Sequence, residues 1–228
     1  MTTLLRRWRL IGATGALLVS AGGCELLHPT ASSTPSGFYA LDIGLKTPVA
    51  AVPVPTGAPT LAVSMPRAAP GFDSRRIIYV RHAHELEYFA HSEWIDTPAR
   101  MLSTLLVSSL ENQGAFRAVV SSPSSASGDL RLDTEILQLQ HEFSQAPSRV
   151  RFTLRADVVD DASRWVIASR DFESVITADS EDPYGGVVAA NRAVGTVLEK
   201  LSAFCAEAAA SWRLAKPKAA RANRTGNE

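Results

Sequence analysis

Cysteine, net charge and long apolar runs are all scarce in this sequence. Only two cysteines, Cys24 and Cys205, occur in 228 residues, which excludes a fold held together by several disulfides. The 23 basic and 23 acidic residues balance, so no excess of positive charge points to a nucleic-acid partner. No apolar run reaches the ~20 residues that a membrane-spanning helix needs. The composition therefore indicates a globular chain, long enough to bury a core.

The sequence signatures of common enzyme classes are missing as well. No G-x-x-x-x-G-K-[ST] phosphate loop is present, which argues against an ATPase, and neither G-x-S-x-G nor S-x-x-K marks a serine nucleophile. His84-Glu85 is followed by Tyr88 where a zinc protease of the H-E-x-x-H type has its second histidine. We therefore predict no catalytic residues, no metal site and a function other than catalysis.

Three groups of reactive side chains have a structural interpretation that we prefer to a chemical one. Three histidines lie near one another in the sequence, His82, His84 and His91, and a zinc site would need their side chains to converge. We interpret them instead as part of an exposed polar strand surface. Asp160-Asp161 resembles an acid/base pair, but aspartate is also favoured in a hairpin turn. Cys205 falls on the apolar side of a predicted helix, which favours a buried, inert thiol.

The N-terminus has the three parts of a bacterial export signal. Three arginines lie within the first nine residues, an uncharged apolar run covers 10–21, and two glycines precede Cys24. A cysteine at this place is typical of lipoprotein signals. We therefore predict cleavage before Cys24, covalent attachment of diacylglycerol and an N-acyl chain such as palmitate, and anchoring to a membrane. The alternative is an ordinary signal peptide cleaved near Ala21, because Ala21 stands where lipoprotein signals usually have leucine.

The rest of the chain divides into three parts. Residues 24–36 are rich in Pro, Ser, Thr and Ala and predict a lipidated N-terminus followed by a flexible tether. Residues 37–214 hold all the periodic segments and predict a single domain. Residues 215–228 are basic and lack periodicity, which predicts a disordered tail.

Alternation of apolar and polar residues predicts the strands. It is clearest from Val150 to Val158, and it shifts phase in the preceding strand, which predicts a β-bulge near Ile136. Two further strands are predicted at 76–81 and 85–94, and a first strand at 37–44.

Two helices are predicted from their start signals. Thr97-Pro98 begins one, with leucines on a single face and Gly114 at its end, and Asp182-Pro183 begins the other. The predicted fold class is α+β, a two-layer sandwich in which a mostly antiparallel sheet carries both amphipathic helices on one face.

The order of motifs resembles the ABC-type transport auxiliary lipoproteins, which are the PqiC-like components of MCE-type transport systems. The resemblance covers about residues 37–205. It rests on a Tyr-x-Leu strand at Tyr39, the segment 75–79, a tryptophan before a Pro-started helix (Trp94, Pro98), the strand 165–172, and the small-residue segment 185–191.

This resemblance implies a non-catalytic accessory of a transporter that moves lipids or other apolar molecules across the Gram-negative envelope. The implied partners are an MCE-domain protein with its permease and ATPase, and a homo-oligomer of this chain is compatible with such a role. An envelope lipoprotein with a structural or assembly role and no part in transport is the alternative.

Two further expectations concern position and contact. Glu25 follows Cys24, in place of the Asp that typically retains lipoproteins at the inner membrane, and so favours the periplasmic face of the outer membrane. Trp94 and Trp165 are candidates for contact with an apolar ligand or a partner, although packing in the core is the commoner role of such side chains.

Overall fold

Nine strands and two helices make up the described part of this computed structural model, which covers residues 37–44, 54–123 and 127–225, with the backbone alone for 216–225. The strands are β1 (Gly37–Tyr39), β2 (Thr60–Val63), β3 (Arg67–Ala68), β4 (Arg76–Val80), β5 (Glu87–Trp94), β6 (Ala118–Ser121), β7 (Leu130–Glu142), β8 (Arg149–Asp160) and β9 (Val166–Thr177). The helices are α1 (Pro98–Gln113) and α2 (Pro183–Thr225).

The sheet is organised around β7, which pairs along both of its edges. On one edge β8 runs antiparallel to it over the whole strand, and β9 continues the sheet by pairing antiparallel with β8. On the other edge three short strands, β2, β3 and β4, follow one another and all run parallel to β7. The remaining strands extend this second side, with β6 beside β2, and with β5 and then β1 beyond β4.

The α+β class is confirmed, but the sheet is mixed, with parallel pairings beside the antiparallel ones that the sequence predicted. Five strand pairings are parallel: β1 with β5, β2 with β6, and β7 with each of β2, β3 and β4. Apart from β7, these strands have two to eight residues, too few for alternation to reveal their partners or their direction. The first strand is also shorter than predicted, because β1 ends at Tyr39.

The predicted bulge, both boundaries of α1 and the start of α2 at Pro183 are confirmed. The register of β7 against β8 shifts between Ile136 and Gln138, which keeps both Ile136 and Leu139 buried on either side of the irregularity. Helix α1 begins at Pro98, and it ends at Gly114, whose backbone φ of 68° lies in the left-handed region that favours glycine.

One core joins both helices to the sheet. Leu102, Leu106 and Leu110 of α1 are fully buried, and they belong to the same apolar cluster as the buried side chains of β7, β8 and α2. That cluster runs from Leu41 to Ala209, so it lies wholly within the compact unit formed by residues 34–228.

Helix α2 is longer than the sequence suggested. Its backbone remains helical to Thr225, where a disordered tail from residue 215 was expected, and residues 226–228 lie outside the described part. Extending an established helix is much easier than starting one, and alanine, lysine and arginine favour it even without an apolar stripe. None of the helices in the described ranges has a stretch long and apolar enough to cross a membrane.

The buried face of α1 gives a direct test of the core. We expect Leu106→Ala to lower the free energy of unfolding by about 2–5 kcal/mol, because the substitution leaves a cavity in a fully buried site. Thr104→Ala, on the exposed side of the same helix, should change it by less than about 0.5 kcal/mol. Urea unfolding followed by circular dichroism measures the free energy of unfolding of both variants. Equal losses in the two variants would contradict the burial of Leu106 and the exposure of Thr104.

Candidate functional site

The structure separates the two tryptophans that the sequence singled out. Trp94 is 3% exposed and belongs to the core, whereas Trp165 is 76% exposed beside the turn between β8 and β9. Cys24, the predicted lipidation site, lies outside the described residues. The candidate contacts therefore do not form one site.

The surroundings of Trp94 leave no room for an apolar ligand. The cavity that it lines with Ile77, Leu139, His141 and Gly186 has a volume of about 10 Å³. That volume is enough for about one water molecule. Trp94 thus has the commoner role of a tryptophan, packing in the core.

The same cavity borders a buried polar network that the sequence did not reveal. His141 is 2% exposed, and its Nε2 lies 2.7 Å from Ser148 Oγ. The backbone N–H of Ser148 donates to Glu181 Oε1 at 2.8 Å, just before α2 begins. His141 Nδ1 has no hydrogen-bond partner among the described residues. A Cβ added to Gly186 would come within 2.5 Å of Nδ1, so only glycine fits there.

This network resembles a serine nucleophile with its base, but its burial gives it a structural role. Ser148 is fully buried, and so is the thiol of Cys205. Burial raises the pKa of the Cys205 thiol to about 12, which leaves it protonated and unreactive at neutral pH. Burial also lowers the pKa of His141, although the negative charges of Glu181 and Asp182 oppose that shift.

The three histidines considered as zinc ligands lie on the surface. His82 and His84 belong to the turn between β4 and β5, with φ of 70° at His84, and His91 lies on exposed β5. Within the described ranges, no three His, Cys, Asp or Glu side chains are grouped closely enough to hold a metal ion.

An open groove on the β4–β5 hairpin is the first exposed feature with the properties of a binding surface. This hairpin groove has a volume of about 460 Å³ and is lined by Gly71, Asp73, Ser74, Arg76, Ile78, Leu86 and Tyr88. The Arg76 guanidinium lies 4.1 Å from the centre of the Tyr88 ring, a stacked geometry that holds both side chains in place. Gly71, at φ 94°, lets the Leu86 side chain lie close against the backbone, because a Cβ at position 71 would come within 3.2 Å of Leu86.

Charged and aromatic side chains connect the two strands of the hairpin. Arg81 forms a two-pronged ion pair with Glu87, and the Tyr79 hydroxyl donates to the same carboxylate at 3.0 Å. The Arg81 guanidinium holds the pKa of Glu87 below its usual range, so this carboxylate is ionised at neutral pH. At the neighbouring strand end, the Arg75 guanidinium lies 5.7 Å from the centre of the Phe38 ring, a side chain that is 61% exposed.

A second groove lies between β9 and the C-terminal half of α2. This helix groove has a volume of about 370 Å³, with Ile167, Ala168, Phe204 and Trp212 among the side chains that line it. The Arg170 guanidinium lies 4.8 Å from the centre of the Phe204 ring. The groove is therefore mainly apolar, with a cation fixed over an aromatic wall.

Comparison with known proteins identifies the fold and the family. Residues 39–202 match the family described as ABC-type transport auxiliary lipoprotein component. No curated protein matches the sequence. The crystal structure of protein XCC0632 from Xanthomonas campestris has a TM-score of 0.68 at 22% identity, covering 78% of this chain and 98% of its own. At that identity the likeness shows the fold.

Two other solved structures are more distantly similar to this chain. One is described only as an uncharacterized protein, with a TM-score of 0.56 at 13% identity, covering 76% of this chain and 97% of its own. The other is PelC from Paraburkholderia phytofirmans, a dodecamer, with a TM-score of 0.40 at 14% identity, covering 73% of this chain and 92% of its own. The second score is too low to bear on the assembly of this chain.

The buried histidine predicts how stability depends on pH. Because the pKa of His141 is lowered in the folded state, the unfolded chain takes up a proton first as the pH falls. The stability that neutral His141 contributes is therefore fully present above the pKa of an unfolded histidine, about 6.5. It is lost as the pH falls from there towards the lower pKa of the folded state. We expect His141→Gln to reduce the loss of unfolding free energy between about pH 7.5 and pH 5.

Urea unfolding at several pH values measures this dependence. His91→Gln is the matched control, because His91 is exposed and its removal should leave the pH dependence unchanged. Identical pH dependence in the wild type and in His141→Gln would contradict a neutral, buried His141.

Proposed function

The chain belongs to the family of ABC-type transport auxiliary lipoprotein components, and from that premise we propose that it is a lipid-anchored accessory of an MCE-type transporter. In this proposal it acts by binding, with no chemistry of its own, and the transporter moves lipids or other apolar molecules across the Gram-negative envelope. Its partners are an MCE-domain protein and the permease and ATPase associated with that protein.

The observation that carries the proposal is the extent of the family match. Residues 39–202 begin within β1 and end within α2, so the match takes in the sheet, α1 and the first half of α2. The family therefore accounts for the fold as a unit, which supports a role in transport more strongly than any single motif.

The burial of the reactive side chains supports binding over catalysis. The pair formed by Ser148 and His141 is enclosed by the core, and Cys205 is held protonated. A nucleophile needs access to its substrate and an activated, deprotonated form. Neither the Ser148–His141 pair nor Cys205 meets both requirements.

The hairpin groove is the surface that we propose for the MCE-domain partner. Tyrosine and arginine are the residue types that dominate binding energy at protein interfaces, and Tyr88 and Arg76 are stacked together here before any partner arrives. Side chains already fixed in their bound geometry lose little entropy on association. Phe38, stacked with Arg75, adds exposed apolar area next to them.

The anchor completes the proposal. Lipid on Cys24 would hold the domain at the periplasmic face of the envelope, and Glu25 favours the outer membrane. There the domain would connect the MCE assembly to that membrane, as a single copy or as a homo-oligomer.

Lipidation is tested by labelling cells with an alkyne analogue of palmitate. We expect the wild-type chain to carry the label and Cys24→Ala to lose it completely, because Cys24 would be the only acylated residue. Cys205→Ala is the matched control, since the thiol of Cys205 is buried and should not be modified. Label that persists in Cys24→Ala would place the lipid elsewhere.

Partner binding is tested by co-purification of the detergent-solubilised lipoprotein with the MCE-domain protein encoded in the same cell. We expect Tyr88→Ser to weaken binding about tenfold, because it removes one wall of the hairpin groove. Met65→Ser, at another exposed apolar position, should leave binding unchanged. If the wild type fails to bring down any MCE-domain protein, the structural or assembly role without transport is the better account.

A further inference from the structure

An exposed apolar surface remains at the end of the β8–β9 hairpin. It consists of the exposed side chains of Trp165, Val166 and Ile167 from the hairpin and Leu214 from α2, together with the half-buried Trp212, and we call it the tip surface. Trp165 and Leu214 are 76% and 79% exposed, among the most exposed large apolar side chains described. A single exposed apolar side chain needs no explanation, but three consecutive exposed apolar residues beside an apolar groove form a candidate interaction site.

Specific contacts join the hairpin to the helix. The indole N–H of Trp212 donates to Asp160 Oδ2 in the hairpin turn. Ile167 and Trp212 line the helix groove together, and the register of β9 shifts beside Ile167. The tip surface is thus a fixed feature in which strand and helix each supply apolar side chains.

Basic residues lie next to Trp165 in the hairpin, at the helix groove, and along the C-terminal sequence of α2. Arg164 adjoins Trp165 in the hairpin, and Arg170 stands over Phe204 in the helix groove. From residue 208 to 225, α2 carries five basic residues and no acidic one: Arg213, Lys216, Lys218, Arg221 and Arg224. The helix backbone continues through this basic run directly from the groove.

Most of the acidic side chains close to the tip surface are already engaged. Asp160 accepts hydrogen bonds from Trp212 and Ser163, and Asp161 pairs with Arg131 and Arg164. A further acidic residue, Glu207, lines the helix groove. The two aspartates of the hairpin turn are therefore already hydrogen-bonded or paired within the described residues.

We propose that the tip surface docks on the surface of an anionic phospholipid bilayer. Tryptophan is enriched at the boundary between lipid and water, where its ring is partly buried and its N–H stays in a polar setting. A helix with apolar side chains and a basic run lies in that boundary, held by apolar burial and by attraction to anionic headgroups. A protein partner would need matching acidic groups as well, whereas the bilayer supplies negative charge over its whole area.

The proposal goes beyond the role as a transport accessory and does not require it. If Cys24 is acylated, the thirteen residues from Cys24 to Gly37 reach at most roughly 45 Å, enough for the domain to turn its tip surface to the same bilayer. The anchor would then make a weak docking contact sufficient, because it keeps the local concentration of bilayer high. Docking would fix the orientation of the hairpin groove relative to the membrane.

The test uses a chain that begins at Glu25 and so carries no lipid. The core cluster lies within residues 41–209, so this chain retains the whole folding unit. Its binding is measured by co-sedimentation with vesicles of phosphatidylethanolamine containing a quarter phosphatidylglycerol, in low and in high salt. We expect binding that weakens with salt, weaker binding to pure phosphatidylcholine, and a blue shift of tryptophan emission.

Substitutions separate the two contributions. The double variant Trp165→Ser with Leu214→Ser should bind about tenfold more weakly and lose most of the blue shift. Replacing Lys216 and Lys218 with glutamine should weaken binding by about fivefold for each charge that contacts the surface and reduce the salt dependence. Ile95→Ser, at another exposed apolar position, is the matched control and should bind like the unsubstituted chain.

Three results would overturn the proposal. The first is equal vesicle binding by the double variant and the Ile95→Ser control. The second is equal binding of the unsubstituted chain to anionic and to neutral vesicles. The third is a double variant that still binds vesicles but changes its oligomeric state, as measured by light scattering. The last would assign the tip surface to contact between copies of this chain. The outcome is independent of the proposed transport role, because Tyr88→Ser should retain vesicle binding and the double variant should still co-purify with the MCE-domain protein.

Discussion

The pairing of β7 along both edges is the constraint on which the rest of the structure depends. Each buried backbone N–H and C=O needs a partner, and β8 supplies these for one edge of a thirteen-residue strand. The other edge is covered in sequence by β2, β3 and β4, so the chain between Thr60 and Val80 has to follow β7 in the same direction. The hairpin groove beyond β4 and the tip surface at the β8–β9 turn consequently belong to opposite sides of β7.

Local patterns predicted the parts of this fold that local physics determines. The alternation of β8, the bulge at Ile136 and the α1 boundaries at Pro98 and Gly114 each follow from a preference of the residues present. The parallel pairing of β2 and β3 does not, because these strands have four and two residues and gain their stability from β7. The true extent of α2 was missed because the end of that helix has no apolar periodicity.

The candidate sites were harder to predict than the fold, because they arise from residues distant in sequence. Trp94 and Trp165 look alike in the sequence, yet one is enclosed by the core and the other is exposed in the hairpin. His141 falls on an inward position of an alternating strand, and nothing nearby indicates that Gly186 will close over it from α2. Similarly, only the folded chain brings Trp212 to Asp160.

Ion pairs on the polar face of the sheet explain why the hairpin groove and the tip surface, which expose apolar side chains, lie at the margins of the sheet. Across β7, β8 and β9 the charges on the polar face neutralise one another: Glu142 receives Arg149 at 3.0 Å and Arg151 at 2.7 Å, and Arg155 pairs with Asp171 at 2.9 Å. Burial alone would raise the pKa of Glu142, but these arginines hold it below its usual range, so the pairs persist at neutral pH. A partner docking there would have to desolvate satisfied ion pairs, and such a contact recovers little of that cost. Arg76 and Arg170 differ because each is held against an aromatic ring, where a cation keeps its capacity for a further negative partner.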